Sequence, residues 1–146
     1  MRNMRIWQLC GAVLCLALMV PALALAQTGK TMMLEEHKWK NRLLLVFAPD
    51  QKDIGLREQM SLIEENVKGL QDRQLLVLEL VSGGEHAKQR QELLKRFGVK
   101  EDAYTLILLG KDGQEKYRSA KPVRMEEIFS IIDQMPMRQQ EMRKQE

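Results

Sequence analysis

The chain has almost no sulfur nucleophile. Its two cysteines, Cys10 and Cys15, sit in an apolar N-terminal stretch, and none occurs from Leu16 to Glu146. That absence excludes dithiol exchange, thiol peroxidase chemistry and cysteine-ligated metal from everything downstream. Histidine is nearly as scarce. His37 and His86 are far apart, and neither has a second ligand at metal spacing, so no metal centre is expected. There is no glycine-rich phosphate cradle, no internal repeat and no low-complexity linker, and no cofactor is expected. Beyond residue 26 the chain holds 21 Lys and Arg (23 less Arg2 and Arg5) against 20 Asp and Glu. No basic field exists there to recruit nucleic acid.

The N-terminus bears on how the rest of the chain is counted. Arg2 and Arg5 make a basic start, Ile6–Val20 is apolar, and Ala24-Leu25-Ala26 precedes Gln27. This is the anatomy of a secretory signal peptide cleaved after Ala26. Gln27 stands where a lipoprotein would need a cysteine. The expected organisation is a signal peptide over 1–26, an N-terminal extension over 27–41, a folded domain over 42–135 and a charged, methionine-containing tail over 136–146. The expected location is the periplasm or the extracellular space, with no membrane attachment after cleavage.

The clearest stretch runs from Arg42 to Leu70. Leu43–Phe47 is a short apolar run, Ala48-Pro49 closes it, and Leu56, Met60, Ile63, Val67 and Leu70 follow at gaps of 4, 3, 4 and 3. That is a buried strand, a loop and one amphipathic helix. Before it, Thr31 is placed to cap a short helix carrying Met33, Leu34 and Trp39, with Trp39 over the end of the core. Leu75–Val81 is a second strand, apolar except at Glu79, as in a parallel sheet covered on both faces. Glu79 is expected near a strand end or beside a cation. Glu85–Phe97 reads as a helix with Ala87, Leu93, Leu94 and Phe97 inward, stopped by Gly98. Tyr104–Leu109 is a third strand. Asp112-Gly113 predicts a two-residue hairpin into a polar edge strand, Gln114–Arg118. Pro122 opens a last helix with Met125, Ile128, Phe129 and Ile132 inward, and Pro136 ends it. Met137–Glu146 is expected to be a frayed helix or disordered.

The order is β-α-β-α-β-β-α. A helical crossover makes the first two strands parallel, and a tight hairpin makes the last two antiparallel. The expected fold is α/β, a thioredoxin-like three-layer sandwich around a mixed four-stranded sheet.

The strings LLLVFAPD (43–50), DRQLLVLEL (72–80), LLKRFGV (93–99), YTLILLGKDGQEKYR (104–118) and IDQMPMRQQEMR (132–143) resemble a thioredoxin-like domain of unknown function, the DUF4174 type. It is found in bacterial exported proteins and in sushi-repeat-containing and coiled-coil-domain-80 matrix proteins, and it has been likened to peroxiredoxins. The last string is the most specific. The resemblance implies the fold and an exported setting, and carries over no catalytic residue. A working thioredoxin would place its dithiol after the first strand, where Asp50–Asp53 stands, and a cis-proline before the third strand, where Ala103-Tyr104-Thr105 stands. Family-type redox catalysis is excluded on both counts.

Candidate groove residues are Pro49, Asp50, Gln51, Lys52, Asp53 and Arg57 around a helix N-terminus, with Tyr104 and Thr105 as the groove floor. Asp50 or Asp53 also reads simply as a helix cap. Met135, Met137, Arg138 and Met142 are candidate contacts for a partner, since flexible methionines suit adaptable surfaces. Packing, rather than soft-metal binding, is the expected use of the remaining methionines. The function expected is a non-redox binding module for an envelope or extracellular protein. The alternative is a hydrolase- or transferase-type enzyme using Asp50, Asp53 or Glu79, and a third reading is a peroxide-related activity that would lack a nucleophile.

Overall fold

The computed structural model describes residues 32–144. The expected signal peptide, both cysteines and Thr31 lie outside the described residues. The elements, in order, are α1 (Met32–His37), β1 (Arg42–Ala48), α2 (Ile54–Glu64), α3 (Val67–Asp72), β2 (Leu75–Val81), α4 (Ala87–Phe97), β3 (Thr105–Leu109), β4 (Glu115–Ser119), α5 (Met125–Asp133) and α6 (Pro136–Arg143).

The sheet order is β2-β1-β3-β4. β1 pairs parallel with β2 from Arg42 opposite Leu75 to Ala48 opposite Val81. It pairs antiparallel with β3, Leu43 opposite Leu109, and β3 pairs antiparallel with β4. Both expected strand relationships are therefore found. β1 is central, and all seven of its residues are buried. Its side chains alternate between two cores, as period-two geometry requires. Leu44, Val46 and Ala48 face α2, α3 and α5, while Leu43, Leu45 and Phe47 face α1 and α4. Two apolar layers thus flank the sheet, each large buried side chain contributing roughly 1.5–3 kcal/mol.

Several local expectations are corrected. The helix after β1 breaks after Glu64 and restarts as α3. Asn66 sits at the break with φ −123°, and its side-chain amide donates to the Leu62 carbonyl at 2.9 Å. An asparagine bonding to the backbone competes with helix propagation. The restart turns Val67 outward, at 49 % exposure, and within α2 the polar Gln59 is buried beside Leu56 and Ile63. Trp39 does not cover the core. It turns the chain from α1 into β1 at φ 65°, its N–H bonded to the Lys111 carbonyl at 2.6 Å, and its side chain is 62 % exposed. β2 is an edge strand, so Leu76 is exposed rather than covered. Glu79 lies mid-strand opposite Val46, without an ion pair among the described residues. Ala87 and Phe97 are only half-buried, and Arg90 holds an inward position of α4.

The β3–β4 turn is longer than two residues. Gly113 donates to the Gly110 carbonyl and Gly110 to that of Gln114, both at 2.9 Å, and only Gly113 has positive φ. This is a type I turn completed by a left-handed glycine, with the register slipping between Leu108 and Leu109. Pro136 ends no chain of structure. It is the first residue of α6, so the tail is helical through Arg143.

Candidate functional site

The loop Pro49–Asp53 lies at the C-terminal end of β1, as expected, but its carboxylates are used locally. The Asp53 carboxylate caps α2 by accepting the Leu56 N–H at 2.9 Å. Asp50 closes a small turn by accepting the Lys52 N–H at 2.6 Å. Gln51, Lys52 and Arg57 are exposed. Gln51 and Arg57 line a shallow depression with Leu56, Met60, Ser61, Glu64 and Glu79. Among the described residues no three His, Cys, Asp or Glu side chains gather as metal ligands.

Tyr104 does lie beside this loop. Its ring stands against Gly55, where an added Cβ would come within 3.1 Å of it. Its hydroxyl donates to Gln59 Oε1 at 3.3 Å. Burial, with the charges of Asp53 and Glu58 adding, holds the phenol well above its ordinary range, so it stays protonated. Thr105 starts β3 opposite Phe47 and borders a separate depression with Tyr104, Gly98 and Arg118. The peptide bonds of this segment are trans.

Two further polar side chains near this end, outside the sequence-based candidates, are buried. Gln59 is fully buried and clamps Val123 like a strand partner: Val123 N–H donates to Gln59 Oε1 at 2.7 Å, and Gln59 Nε2 donates to the Val123 carbonyl at 3.0 Å. Arg90 is 1 % exposed. It donates to the carbonyls of Leu80 at 3.0 Å, Ala48 at 3.2 Å and Glu101 at 2.7 Å. It thereby ties the ends of β1 and β2 to the loop after α4. Both residues carry a readable signal. Gln59 is three from Leu56 and four from Ile63, and Arg90 is three and four from Leu93 and Leu94, so each lies on an inward face.

The opposite end of β1 holds the larger polar construction. The Arg42 guanidinium, itself 1 % exposed, donates to both oxygens of Glu141 at 3.1 and 3.3 Å and to the Arg73 carbonyl at 2.8 Å. Lys111 reaches Glu141 at 2.7 Å and also bonds Gln74. Arg73 makes two bonds to Asp133, at 3.0 and 2.6 Å, and stacks over the Phe129 ring. Arg138 is buried, bonding Asp133 at 3.2 Å and the Asp72 carbonyl at 2.8 Å. Burial raises both carboxyls, but the hydrogen bonds and charges outweigh it: Lys111 and Arg42 hold Glu141, and Arg73 and Arg138 hold Asp133, below the usual range. Of the expected tail contacts, then, Arg138 turns inward, Met135 and Met142 are half-buried and Met137 is exposed.

Beside this network is a pocket of about 320 Å³. Arg42, Gly110, Lys111, Asp112 and Lys116 form its polar side, and Ile131, Gln134, Met135, Pro136 and Met137 the other.

Comparison with known proteins agrees with this architecture. The chain is 30% identical over 118 residues to sushi repeat-containing protein SRPX2 of Mus musculus, covering 69% of this chain and 24% of the relative. It is 24% identical over 133 residues to coiled-coil domain-containing protein 80 of Danio rerio, covering 75% and 15%. The chain thus spans about a quarter or less of the length of these relatives. Among solved structures, the reduced 2-Cys peroxiredoxin of Plasmodium vivax superposes with a TM-score of 0.60 at 13% identity, covering 73% of this chain and 84% of that one. At that identity the likeness concerns the thioredoxin-like fold alone. Residues 33–141 match the family described as domain of unknown function (DUF4174). With that span, most of the chain, the protein belongs to the DUF4174 family of thioredoxin-like domains.

Proposed function

We propose that this domain is an exported, non-enzymatic binding module that holds another protein of the envelope or extracellular space. The observation that carries the reading is the use of the loop after β1. Where this fold ordinarily keeps its reactive group, the Asp53 carboxylate caps a helix and Asp50 closes a turn, and the chain offers no cysteine or histidine between Trp39 and Gly84. A further pocketed face lies between the β3–β4 turn and the start of α6, and its rim includes the exposed Met137. Methionine there suits an adaptable contact surface. The leader anatomy of residues 1–26 and the kinship with sushi repeat-containing proteins support the exported setting.

The test is site-specific photocrosslinking in living cells, from a photoreactive residue at position 137 and, separately, at position 57. The expected result is one saturable protein adduct from position 137, identified by mass spectrometry. Adducts equal in number and identity from both positions, or none from either, would sink the proposal.

A further inference from the structure

The pocket beside Arg42 has two unlike walls, and the difference specifies a ligand. One wall, at the α5–α6 junction, is mainly aliphatic and thioether, with Ile131, Met135, Pro136 and Met137 and one polar side chain, Gln134. The other wall carries Arg42, Lys111 and Lys116, with the Asp112 carboxylate among them. Gly110 keeps the space between open, since a Cβ there would come within 2.7 Å of Lys116 Cε.

Donors outnumber acceptors on the polar wall. Lys111 has three N–H groups, and Glu141 and Gln74 engage two of them. Lys116 bonds Asp112 and keeps two. Arg42 Nε is buried without an acceptor. α6 begins at Pro136 with no side-chain cap, so the N–H groups of its first turn are unsatisfied within the helix, and its dipole is positive there. The charge balance agrees. Arg42, Lys111 and Lys116, the cations on the pocket, are paired with Asp112 and Glu141, three cations against two carboxylates, an excess of one.

We propose that this pocket captures the C-terminal residue of a partner polypeptide, its free carboxylate on the Lys111–Lys116 side and an aliphatic final side chain against Met135 and Met137. A C-terminal residue is the one part of a polypeptide that carries an anion and an apolar group on the same carbon, so it meets both walls at once. The volume suits one residue rather than a long segment, being at the small end of the roughly 300–1,000 Å³ range of ligand pockets. The inference rests on the binding-module reading and gives it a recognition chemistry.

The experiment is a titration of the isotopically labelled protein, expressed with its own leader, followed by NMR. The probes are acetyl-Gly-Ser-Ala-Leu as the free acid, the same peptide as its C-terminal amide, and octanoate. The free acid is expected to shift the resonances of Gly110–Asp112 and Met135–Met137 saturably. The amide is expected to bind at least about tenfold more weakly, as loss of a charge-assisted contact requires. Lys116→Glu and Met137→Glu, both at exposed positions, are each expected to weaken the free acid while leaving the remaining spectrum unchanged. Equal affinity for acid and amide, shifts confined to another surface, or no shift at millimolar peptide would overturn the assignment. Octanoate binding as well as the peptide would also overturn it, in favour of small carboxylates. If the peptide fails while crosslinking from position 137 still yields one partner, the pocket assignment falls and the binding module stands.

Discussion

Arg42 and Glu141 join the first strand to the last helix across 99 positions of chain, through two hydrogen bonds of 3.1 and 3.3 Å. Lys111 approaches the same carboxylate at 2.7 Å. Arg42 and Lys111 are both largely buried, so Glu141 neutralises charge that water screens poorly. Removing one partner of such a group leaves uncompensated charge inside, a far larger loss than that of a surface pair. Glu141→Ala is therefore expected to lower unfolding free energy by about 3 kcal/mol. Glu126→Ala, on an exposed position of α5, is expected to stay within about 0.5 kcal/mol. Urea denaturation of the two variants is the check, and similar midpoints would refute the role of Glu141.

The same carboxylates set a pH dependence. Glu141 and Asp133 titrate below their unfolded values, which are about 4.3 and 3.9. A depressed folded value means the folded state holds the proton less tightly than the unfolded one. Their contribution is complete above the unfolded values and is lost as pH falls through the folded ones. Asp112 and Glu115 shift the same way and add to the slope, though each is screened by solvent. Stability is expected to be flat near neutrality and to fall steadily below about pH 5. The double variant Glu141→Gln, Asp133→Asn is expected to begin less stable at pH 7 and to show a shallower decline on acidification. An unchanged slope in urea midpoints across that range would be the contrary result.

The strands and their directions were legible because β1, β2 and β3 are apolar runs closed by Pro49, Gly83-Gly84 and Gly110, and because the hairpin signal at Gly113 fixes one antiparallel pair. What periodicity hid was polar residues on apolar faces. Gln59, Arg90 and Arg138 each occupy an inward helical position, but a reading that collects only hydrophobic side chains passes over them. The string Ile132–Arg143 looked specific for a reason the pattern does not display. Asp133, Arg138 and Glu141 are an ion network with Arg42, Arg73 and Lys111, partners that lie far away in sequence. Long-range pairing of charges has no local period, so neither the network nor the pocket beside it was visible before folding brought the strings together.

Gln59 holds the segment before α5 in place. Its amide supplies both an acceptor and a donor to Val123, and its oxygen also receives the Tyr104 hydroxyl. Gln59→Leu keeps the volume nearly constant but leaves a buried N–H and a buried carbonyl of Val123 unpaired, each costing about 1–3 kcal/mol. A loss of about 3 kcal/mol is expected. Tyr104→Phe removes only the hydroxyl at 3.3 Å and is expected to cost about 1 kcal/mol. Thermal and urea melts rank the two. A Gln59→Leu protein as stable as wild type would mean that Val123 finds other partners.

The two aspartates of the loop after β1 separate a capping role from a functional one. Asp53 accepts the Leu56 N–H at the start of α2, so Asp53→Ala is expected to cost about 1 kcal/mol and Asp53→Ser to recover most of it. Asp50 is exposed and bonds only within its own turn, and Asp50→Ala is expected to change stability by less than about 0.5 kcal/mol. Neither change touches the Met137 face, so the position-137 adduct is expected to survive in Asp50→Ala, in Asp53→Ser and in the two combined. Loss of that adduct in the combined variant, with its melt intact, would return the binding surface to the C-terminal end of β1. Retention of the adduct there, displaced by wild-type protein supplied in trans but not by Met137→Glu protein supplied the same way, places recognition on the α6 side.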